Sequence, residues 1–169
     1  MAEAATYNPL PALIDFAQRL RYEDLPPNVV HEAKRRVIDS IGTAMGALSD
    51  ERLRERRRYF ARRKIAYDEG GHIFGSKDKL TLPDAAFLNS SMTRWLDIND
   101  TYLAKEPAHP SDNLGLLFAM SGFKPLTGKD FITAAALAID VQCRFTEAAS
   151  VRAGGAPLTC SGRVLRFRW

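Results

Sequence analysis

An all-α fold is predicted by two features of this 169-residue sequence. Apolar residues recur every three or four positions through 9–20 and through 30–48, which is the spacing of residues on one face of a helix. Prolines, hydroxyls and acids suited to a first helical turn occur at 26–27, 81–84 and 127–130. Residues 72–75 have the character of a short strand or an extended link. The sequence therefore predicts a multi-helical domain.

The helix predicted over 30–48 has the clearest pattern. Its apolar stripe consists of Val30, Ala33, Val37, Ile41, Ala44, Met45 and Leu48. Gly42 and Gly46 interrupt this helix, and each costs about 1 kcal/mol relative to alanine in a helix interior. We therefore expect another helix to approach both glycines closely.

The remaining predicted elements follow in order along the chain. Helices are expected over 9–20, 50–64, 81–96, 111–120 and from 127 onward, with a loop over 98–110. Ser111 and Asp112 are expected to cap the helix over 111–120. The last helix is expected to place these residues on one side: Phe131, Ala134, Ala135, Ala138, Ile139 and Cys143.

The composition is that of an ordinary soluble globular protein, with 46% hydrophobic and 26% charged residues. No apolar run approaches the roughly 20 residues needed to cross a bilayer. The first residues lack the basic and apolar regions of a secretory signal. Two cysteines and three histidines show neither a disulfide framework nor metal-ligand spacing. We expect a cytoplasmic protein that binds neither a membrane nor a metal ion.

Positive charge is concentrated in the helix predicted over 50–64. This segment has eight basic and three acidic residues, whereas the whole chain has a net charge of +4, so the remainder is slightly acidic. Dense basic charge on a helix is typical of proteins that bind nucleic acid or another polyanion. Few aromatic residues are interleaved, however, and no nucleic-acid reading motif is present. A solvated helix face is therefore the favoured interpretation, and nucleic acid is not expected as a partner.

Residues 94–113 concentrate carboxylates, a histidine and several amide or hydroxyl groups around a loop between two predicted helices. Such loops are where binding groups are usually displayed. Removing a proton next to a carboxylate and expelling a hydroxyl requires one group that accepts a proton and another that donates one. The negative charge that develops requires cations or backbone N–H groups. Lys105 and the amides of residues 111–113 are local candidates for that role.

Two positions in this stretch have further local significance. Arg94 lies three residues before Asp97, close enough on a helix to pair with it and keep it ionised. His109 precedes a predicted helix start, where the helix dipole favours the neutral imidazole and a nearby anionic ligand. The same residues also suit ordinary turn and cap chemistry, and on spacing alone that interpretation is favoured. His31 and His72 are interpreted as structural or solvated residues.

The order Asp-x-Asn-Asp-Thr over 97–101, followed by His-Pro-Ser-Asp-Asn over 109–113, resembles the pattern of the MmgE/PrpD family. The combination is long enough to be specific, although none of its dipeptides would be. Segments 20–26, 38–42, 85–89 and 141–144 also resemble that family, so the similarity covers roughly residues 10–152. Segments 95–97 and 102–106 resemble the branch of the family that dehydrates 2-methylcitrate.

This resemblance implies an all-helical domain without a metal ion, an iron–sulfur cluster or another cofactor. It also implies a homodimer that eliminates water from a tricarboxylate, converting 2-methylcitrate to 2-methylaconitate in propionate breakdown. Asp97 and His109 match the two positions of this stretch that are implicated in catalysis in the family. The residues expected to contribute to substrate binding are Asn99, Asp100, Lys105 and Ser111.

The pattern stops matching near Arg152, where an arginine-rich end without acids begins. The predicted organisation is therefore a partial MmgE/PrpD N-terminal helical domain over 1–152 and a divergent, poorly ordered tail over 153–169. Later regions of the family supply further catalytic lysine and histidine residues. We therefore expect a truncated form with impaired activity. The alternative is a non-catalytic helical module whose uncovered apolar faces favour association with another copy.

Overall fold

Six α-helices and two short strand pairs make up the described part of the protein, which in this computed structural model comprises residues 8–63 and 70–148. The helices are α1 Leu10–Arg19, α2 Pro27–Gly46, α3 Glu51–Ala61, α4 Leu82–Arg94, α5 Leu114–Met120 and α6 Gly128–Ala148. The strand pairs, both antiparallel, are β1 Gly71–His72 with β2 Lys79–Leu80 and β3 Tyr102–Leu103 with β4 Pro107–Ala108. The predicted all-α class is confirmed. The predicted tail over 153–169 and its boundary lie outside the described residues.

Local side-chain chemistry sets where three of the helices begin. The Asp50 carboxylate accepts hydrogen bonds from the backbone N–H groups of Arg52 at 2.9 Å and Leu53 at 3.3 Å, which caps α3. Thr127 and Asp130 bond each other's backbone N–H groups at 3.2 and 3.0 Å, which is a capping box at the start of α6. The Thr81 hydroxyl lies 3.5 Å from the backbone nitrogen of Asp84 at the start of α4. The helix starts predicted at these positions are confirmed.

Helix α4 lies at the centre of the main hydrophobic core. Its buried apolar residues, Ala85, Leu88 and Met92, pack with Leu53 of α3, with residues of α2, β2 and α5, and with the two residues that follow β1. A second core cluster joins α1, α2 and α6 through Leu20, Leu25, Ala33, Ile132 and Ala136. Helix α2 packs against both α4 and α6 and so connects the two clusters. Among the helices of residues 8–63 and 70–148, none is both long and apolar enough to cross a membrane.

The apolar stripe predicted on α2 is buried at one edge and exposed at the other. Ala33 and Ala44 are buried, but Ile41 and Met45 are 37% and 45% exposed, so the predicted stripe does not lie wholly in the core. A β-carbon on Gly46 would lie 3.3 Å from Leu96, in the turn after α4, whereas one on Gly42 would meet no atom within 4 Å. The close approach expected at Gly42 is therefore wrong. The stripe is wider than the surface that the neighbouring elements cover.

Three further expectations require correction. The loop predicted over 98–110 contains the β3–β4 hairpin. Ser111 and Asp112 do not cap an α-helix, because they lie within a 3-10 helix, Pro110–Asn113, that leads directly into α5. On α6 the buried residues are Ile132, Ala135 and Ala136, so the buried face is rotated from the predicted side. Proline at the first position of the 3-10 helix replaces the expected side-chain cap.

Helices α4 and α5 pack closely enough to bring their backbones into contact. A β-carbon on Gly115 of α5 would lie only 2.5 Å from the backbone nitrogen of Ser90 and 2.9 Å from the carbonyl carbon of Asn89. The fully buried Asn89 amide reinforces this contact, because its Nδ2 donates to the carbonyls of His72 and Gly115 at 2.8 and 3.2 Å. Its Oδ1 accepts from the backbone N–H of Phe74 at 2.9 Å.

Two glycine-to-alanine substitutions are expected to have opposite effects on the free energy of unfolding. Gly115→Ala should lower it by about 3 kcal/mol, since the added methyl group overlaps the α4 backbone. Gly42→Ala should raise it by about 0.5–1 kcal/mol, since alanine is the better helix former and the site is open. Urea unfolding followed by far-ultraviolet circular dichroism measures both values. Equal stability of the two variants would contradict the close α4–α5 packing.

Candidate active site

The segment between the end of α4 and the start of α5 carries every residue that the sequence analysis placed in a site. It comprises an irregular stretch after Arg94, the β3–β4 hairpin and the 3-10 helix. Helices α2 and α6 flank it, since α6 contacts the 3-10 helix and β4. The α4–α5 packing brings the two ends of this segment together, so residues from both ends meet.

Asp97 projects from the turn that follows α4. Its φ of 55° lies in the left-handed region, which aspartate tolerates better than most residues other than glycine. Its side chain is 77% exposed, and its Oδ1 accepts a hydrogen bond from Arg94 Nη1. The predicted Arg94–Asp97 pair is confirmed. The turn thus displays an anchored carboxylate at the protein surface.

Asn99 connects the two ends of the segment. Its Oδ1 accepts from Arg94 Nη1 at 3.0 Å, so the same guanidinium holds both Asp97 and Asn99. Its Nδ2 donates to Ser111 Oγ at 2.9 Å and to Asp112 Oδ1 at 3.1 Å. Asn99 and Ser111 are both buried, and Ser111 completely so. The structure therefore brings these two predicted site residues together in the interior.

Asp100 makes two contacts through its carboxylate oxygens and a third through its backbone carbonyl oxygen. Its carboxylate accepts from the backbone N–H of Ser111 at 3.0 Å and from Arg36 Nη1 of α2 at 2.7 Å. Its backbone carbonyl lies 2.7 Å from His109 Nδ1. Only 11% of the side chain is exposed. Asp100 thus contacts two other predicted site residues, His109 and Ser111, which lie closer to α5 in the segment.

His109 is half-buried and directly precedes the 3-10 helix. A carbonyl oxygen can only accept a hydrogen bond, so the contact with Asp100 requires the proton to be on Nδ1 of the His109 ring. In the neutral ring, Nε2 then carries the lone pair. This nitrogen can take up a proton and later return it, which is the property required of a general acid–base group.

The backbone amides considered as charge-stabilising groups are already used within the protein. The N–H of Ser111 donates to the Asp100 carboxylate, and the N–H of Asp112 donates to the His109 carbonyl at 3.0 Å. The expectation that these two amides are available to a substrate is therefore wrong, because local turn and carboxylate acceptors satisfy them first. Lys105 is exposed on the hairpin, and its Nζ lies 3.3 Å from the carbonyl of Ala148 at the end of α6.

Asp112 is a partly buried carboxyl group of this segment, and its pKa is raised. Burial raises the pKa of Asp112, whereas the nearby charges of Arg94 and His109 act in the opposite direction. Ser90 Oγ of α4 donates to the Asp112 backbone carbonyl at 2.7 Å. The residue therefore sits partly enclosed between α4 and the hydrogen-bonded loop.

The hairpin and the 3-10 helix are both docked on α6. The Tyr102 hydroxyl donates to the Glu147 carboxylate, and this contact raises the pKa of Tyr102 to about 12. Asn113 Nδ2 donates to Gln142 Oε1. Segments that resembled the family separately in sequence, 109–113 and 141–144, thus touch in the structure.

Sequence reasoning missed several residues that hold the site, among them Arg36, Ser90 and Gln142. Arg36 lies on α2 and Ser90 within α4, and neither belongs to the 94–113 segment that the sequence singled out. Each partner is distant in the chain, so no local spacing marked these contacts. Helical periodicity distinguishes the buried face of a helix from its exposed face. It does not indicate which cationic side chain pairs with which acidic one.

The basic helix α3 uses many of its arginines within the protein. Glu51 accepts from Arg54 and Arg58, both at 3.1 Å. The guanidinium of Arg56 lies 5.2 Å from the centre of the Trp95 ring, and Arg57 donates to the Gly75 carbonyl at 2.9 Å. These contacts favour the interpretation as a solvated face, and the absence of a nucleic-acid partner stays a prediction.

Within the described residues, no group of three or more His, Cys, Asp or Glu side chains is arranged to hold a metal ion.

Comparison with known proteins identifies the domain. The chain matches the MmgE/PrpD N-terminal domain over residues 12–164. The 2-methylcitrate dehydratase of Cupriavidus necator is 31% identical over 154 aligned residues, covering 80% of this chain and 30% of that protein. The enzyme of the same name from Escherichia coli (strain K12) is 42% identical over 83 residues, covering 43% and 17%. The probable 2-methylcitrate dehydratase of Saccharomyces cerevisiae (strain ATCC 204508 / S288c) is 30% identical over 115 residues, covering 68% and 22%.

This all-helical domain therefore matches a known family of proteins over most of its length. The chain belongs to the MmgE/PrpD family, of which it contains the N-terminal domain. It spans less than one third of the length of each of these relatives. The family match runs to residue 164, beyond the residue at which the motif-based resemblance ends.

Asp112→Asn and Asp130→Asn are expected to change the pH dependence of stability in opposite directions. Because the folded-state pKa of Asp112 is raised, the wild type loses stability as pH rises from about 3.8 through that folded pKa, and Asp112→Asn removes this loss. Hydrogen bonds from Thr127 lower the pKa of Asp130, so its stabilisation is present above 3.8 and is lost as pH falls.

Urea unfolding at a series of pH values between 3 and 7 tests this pair. Relative to wild type, Asp112→Asn should become more stable as pH rises, and Asp130→Asn should become less stable. The same slope for both variants would show that Asp112 is not placed in an environment that disfavours its charge.

Proposed function

We propose that this chain carries the Asp97–His109 part of a dehydratase site that eliminates water from 2-methylcitrate. The observation that carries the proposal is the hydrogen bond between His109 Nδ1 and the Asp100 carbonyl, which leaves Nε2 for proton transfer. The displayed Asp97 carboxylate is the second ionisable group. The choice of 2-methylcitrate as substrate rests on the relatives that are named 2-methylcitrate dehydratase.

The reaction requires two proton transfers. One member of the Asp97–His109 pair removes the proton from the carbon next to a carboxylate, and the electron pair of that C–H bond forms the new double bond. The C–O bond to the hydroxyl group breaks, and the other member supplies the proton that converts the leaving group to water. The products are 2-methylaconitate and water, so atoms and charge balance without an oxidant or reductant.

The predicted substrate-binding residues divide into two groups in this proposal. Lys105, exposed on the hairpin, supplies positive charge for a substrate carboxylate. Asn99, Asp100 and Ser111 shape the loop through the hydrogen bonds that link its two ends. The place of the reaction in propionate breakdown, its cytoplasmic location and a homodimeric assembly belong to the same proposal. Slow turnover by the 169-residue chain stays a prediction, since the aligned part covers only 30% of the Cupriavidus necator relative.

His109→Gln and Asp97→Asn are expected to lower the rate of 2-methylcitrate dehydration at least about 100-fold, since each removes a proton-transfer group. Asparagine also tolerates the left-handed backbone at position 97, so this variant tests chemistry rather than folding. The ultraviolet absorbance of the conjugated product measures the rate. His31→Gln, on the exposed surface of α2, is the control and should retain wild-type activity.

Activity in His109→Gln and Asp97→Asn equal to that of the wild type would exclude both residues from the chemistry. Circular dichroism on each variant separates a lost catalytic group from a lost fold. A wild-type chain that binds 2-methylcitrate without converting it would restrict the proposal to substrate recognition.

A second candidate function, association with another copy of the chain, is favoured by an exposed apolar strip on α2. Ile38, Ile41 and Met45 lie at helical spacing on one surface and are 70%, 37% and 45% exposed. Leu96, which contacts the Gly46 position, is also 40% exposed and extends the strip. Exposed apolar surfaces of this kind mark association sites in soluble proteins.

Ile38→Glu is expected to shift a self-associating chain toward the monomer, because burying an unpaired carboxylate in an apolar interface is unfavourable. Light scattering coupled to gel filtration measures the mass across a concentration series. Leu10→Glu, at a position 54% exposed on a different helix, is the matched control and should leave the mass unchanged. A wild-type chain that stays monomeric at all concentrations would exclude this second function.

A further inference from the structure

We propose that Arg36 is a positioning residue for His109 and that it acts through Asp100. Arg36 lies on α2, 64 positions before Asp100 in the sequence. Within the described part of the chain, its side chain forms no hydrogen bond or ion pair with Asp97 or His109. The proposal rests on the dehydratase function proposed above, because it concerns how the acid–base histidine is held. Its first test requires no catalytic activity, so the two proposals can fail separately.

The orientation of the His109 ring depends on the Asp100 backbone. His109 Nδ1 lies 2.7 Å from the Asp100 carbonyl oxygen, which selects the tautomer and restricts rotation of the ring. A carbonyl oxygen moves with its peptide plane, because the peptide bond is rigid. Any rotation of the backbone at Asp100 therefore redirects the hydrogen bond and with it the Nε2 atom on the opposite side of the ring.

The Asp100 backbone is fixed chiefly by its side chain. Asp100 lies between α4 and β3, outside any helix or strand. Its carboxylate bridges two separate elements, with Oδ1 accepting from the Ser111 N–H at 3.0 Å and Oδ2 accepting from Arg36 Nη1 at 2.7 Å. The low exposure of this carboxylate, 11%, means that water screens the pair weakly. Arg36 therefore ties the irregular segment to α2.

Arg36 is itself oriented by a second acid. Its Nε lies 3.0 Å from Glu32 Oε1, one helical turn earlier on α2, while Nη1 is directed at Asp100. The planar guanidinium presents these two donors in a fixed geometry, which the single ammonium of a lysine does not reproduce. Neighbouring Arg35 shares the Glu32 partner, at 2.7 Å, but its side chain is 67% exposed. Arg35 is therefore a matched control for the charge and helix position of Arg36.

The surroundings of Arg36 allow the loop to move when the guanidinium is removed. Arg36 lines a cavity of about 490 Å³ between α2 and α6, together with Ala33, Tyr102 and Cys143 among others. Water entering from this cavity can replace the lost donor to Asp100. The segment is then released from α2, and the His109 ring loses the constraint that selects its tautomer.

Nitrogen-15 NMR of the histidine side chains tests the positioning directly. The chain has three histidines, so His31→Gln and His72→Gln assign the His109 signals. In the wild type the neutral His109 ring should be the Nδ1–H tautomer. In Arg36→Met the signals should shift toward the Nε2–H tautomer that the side chain of free histidine prefers, with Arg36→Lys intermediate. Arg35→Met should leave the wild-type tautomer unchanged.

An unchanged His109 tautomer in a folded Arg36→Met variant would overturn the proposal, as would an equal shift in Arg35→Met. If Arg36→Met does not fold, Asp100→Asn decides, because it removes the charge that holds Arg36 while keeping the backbone carbonyl. A shift toward the Nε2–H tautomer in Asp100→Asn supports the proposal, and the wild-type tautomer overturns it.

The catalytic consequence is measured in the 2-methylcitrate assay. Arg36→Met should lower kcat roughly 10- to 100-fold with a smaller change in KM, since a misplaced acid–base group affects the chemical step more than binding. Arg36→Lys should recover part of that loss. Unchanged kcat in Arg36→Met beside a shifted tautomer would overturn the catalytic role. Absence of turnover in every variant and in the wild type would reject the proposed function, and the tautomer would still decide the role of Arg36.

Discussion

The contact between Gly115 and the backbone of Asn89 and Ser90 is the constraint on which the candidate site depends. It brings α4 and α5 together at the two ends of one segment. Ser90 can then bond the Asp112 carbonyl, and Asn99 can reach Ser111 across the segment. A larger side chain at position 115 would separate the helices and break these bonds. The geometry of the loop is thus a consequence of backbone packing in the core beneath it.

Two arginines organise the charged groups of this loop from different sides. Arg94, at the end of α4, bonds both Asp97 and Asn99, and Arg36, on α2, bonds Asp100. The amides of Ser111 and Asp112 are occupied by protein acceptors. In the proposed reaction, stabilisation of substrate charge therefore depends on side chains such as Lys105 rather than on these backbone groups. A site of this kind is sensitive to side-chain positioning, because groups on loops are held less precisely than groups on helices or strands.

Much of the helical fold could be predicted from local sequence, and part of the site could be predicted in the same way. The cap at Asp50, the capping box of Thr127 and Asp130, and the pair formed by Arg94 and Asp97 all involve residues within four positions of each other. Their geometry follows from the regular rise and turn of a helix. The β3–β4 hairpin was missed, because its strands are only two residues long and show no alternating pattern.

The sequence by itself determined the all-α class, the starts of α3, α4 and α6, and the family, because each depends on residue type at short spacing or on the order of a long motif. Only the tertiary structure decided that Ile41 and Met45 are exposed, that the Ser111 and Asp112 amides are occupied, and that Arg36 meets Asp100. These features depend on which elements pack together. Residues far apart in the chain are brought into contact by that packing, and local periodicity carries no information about their partners.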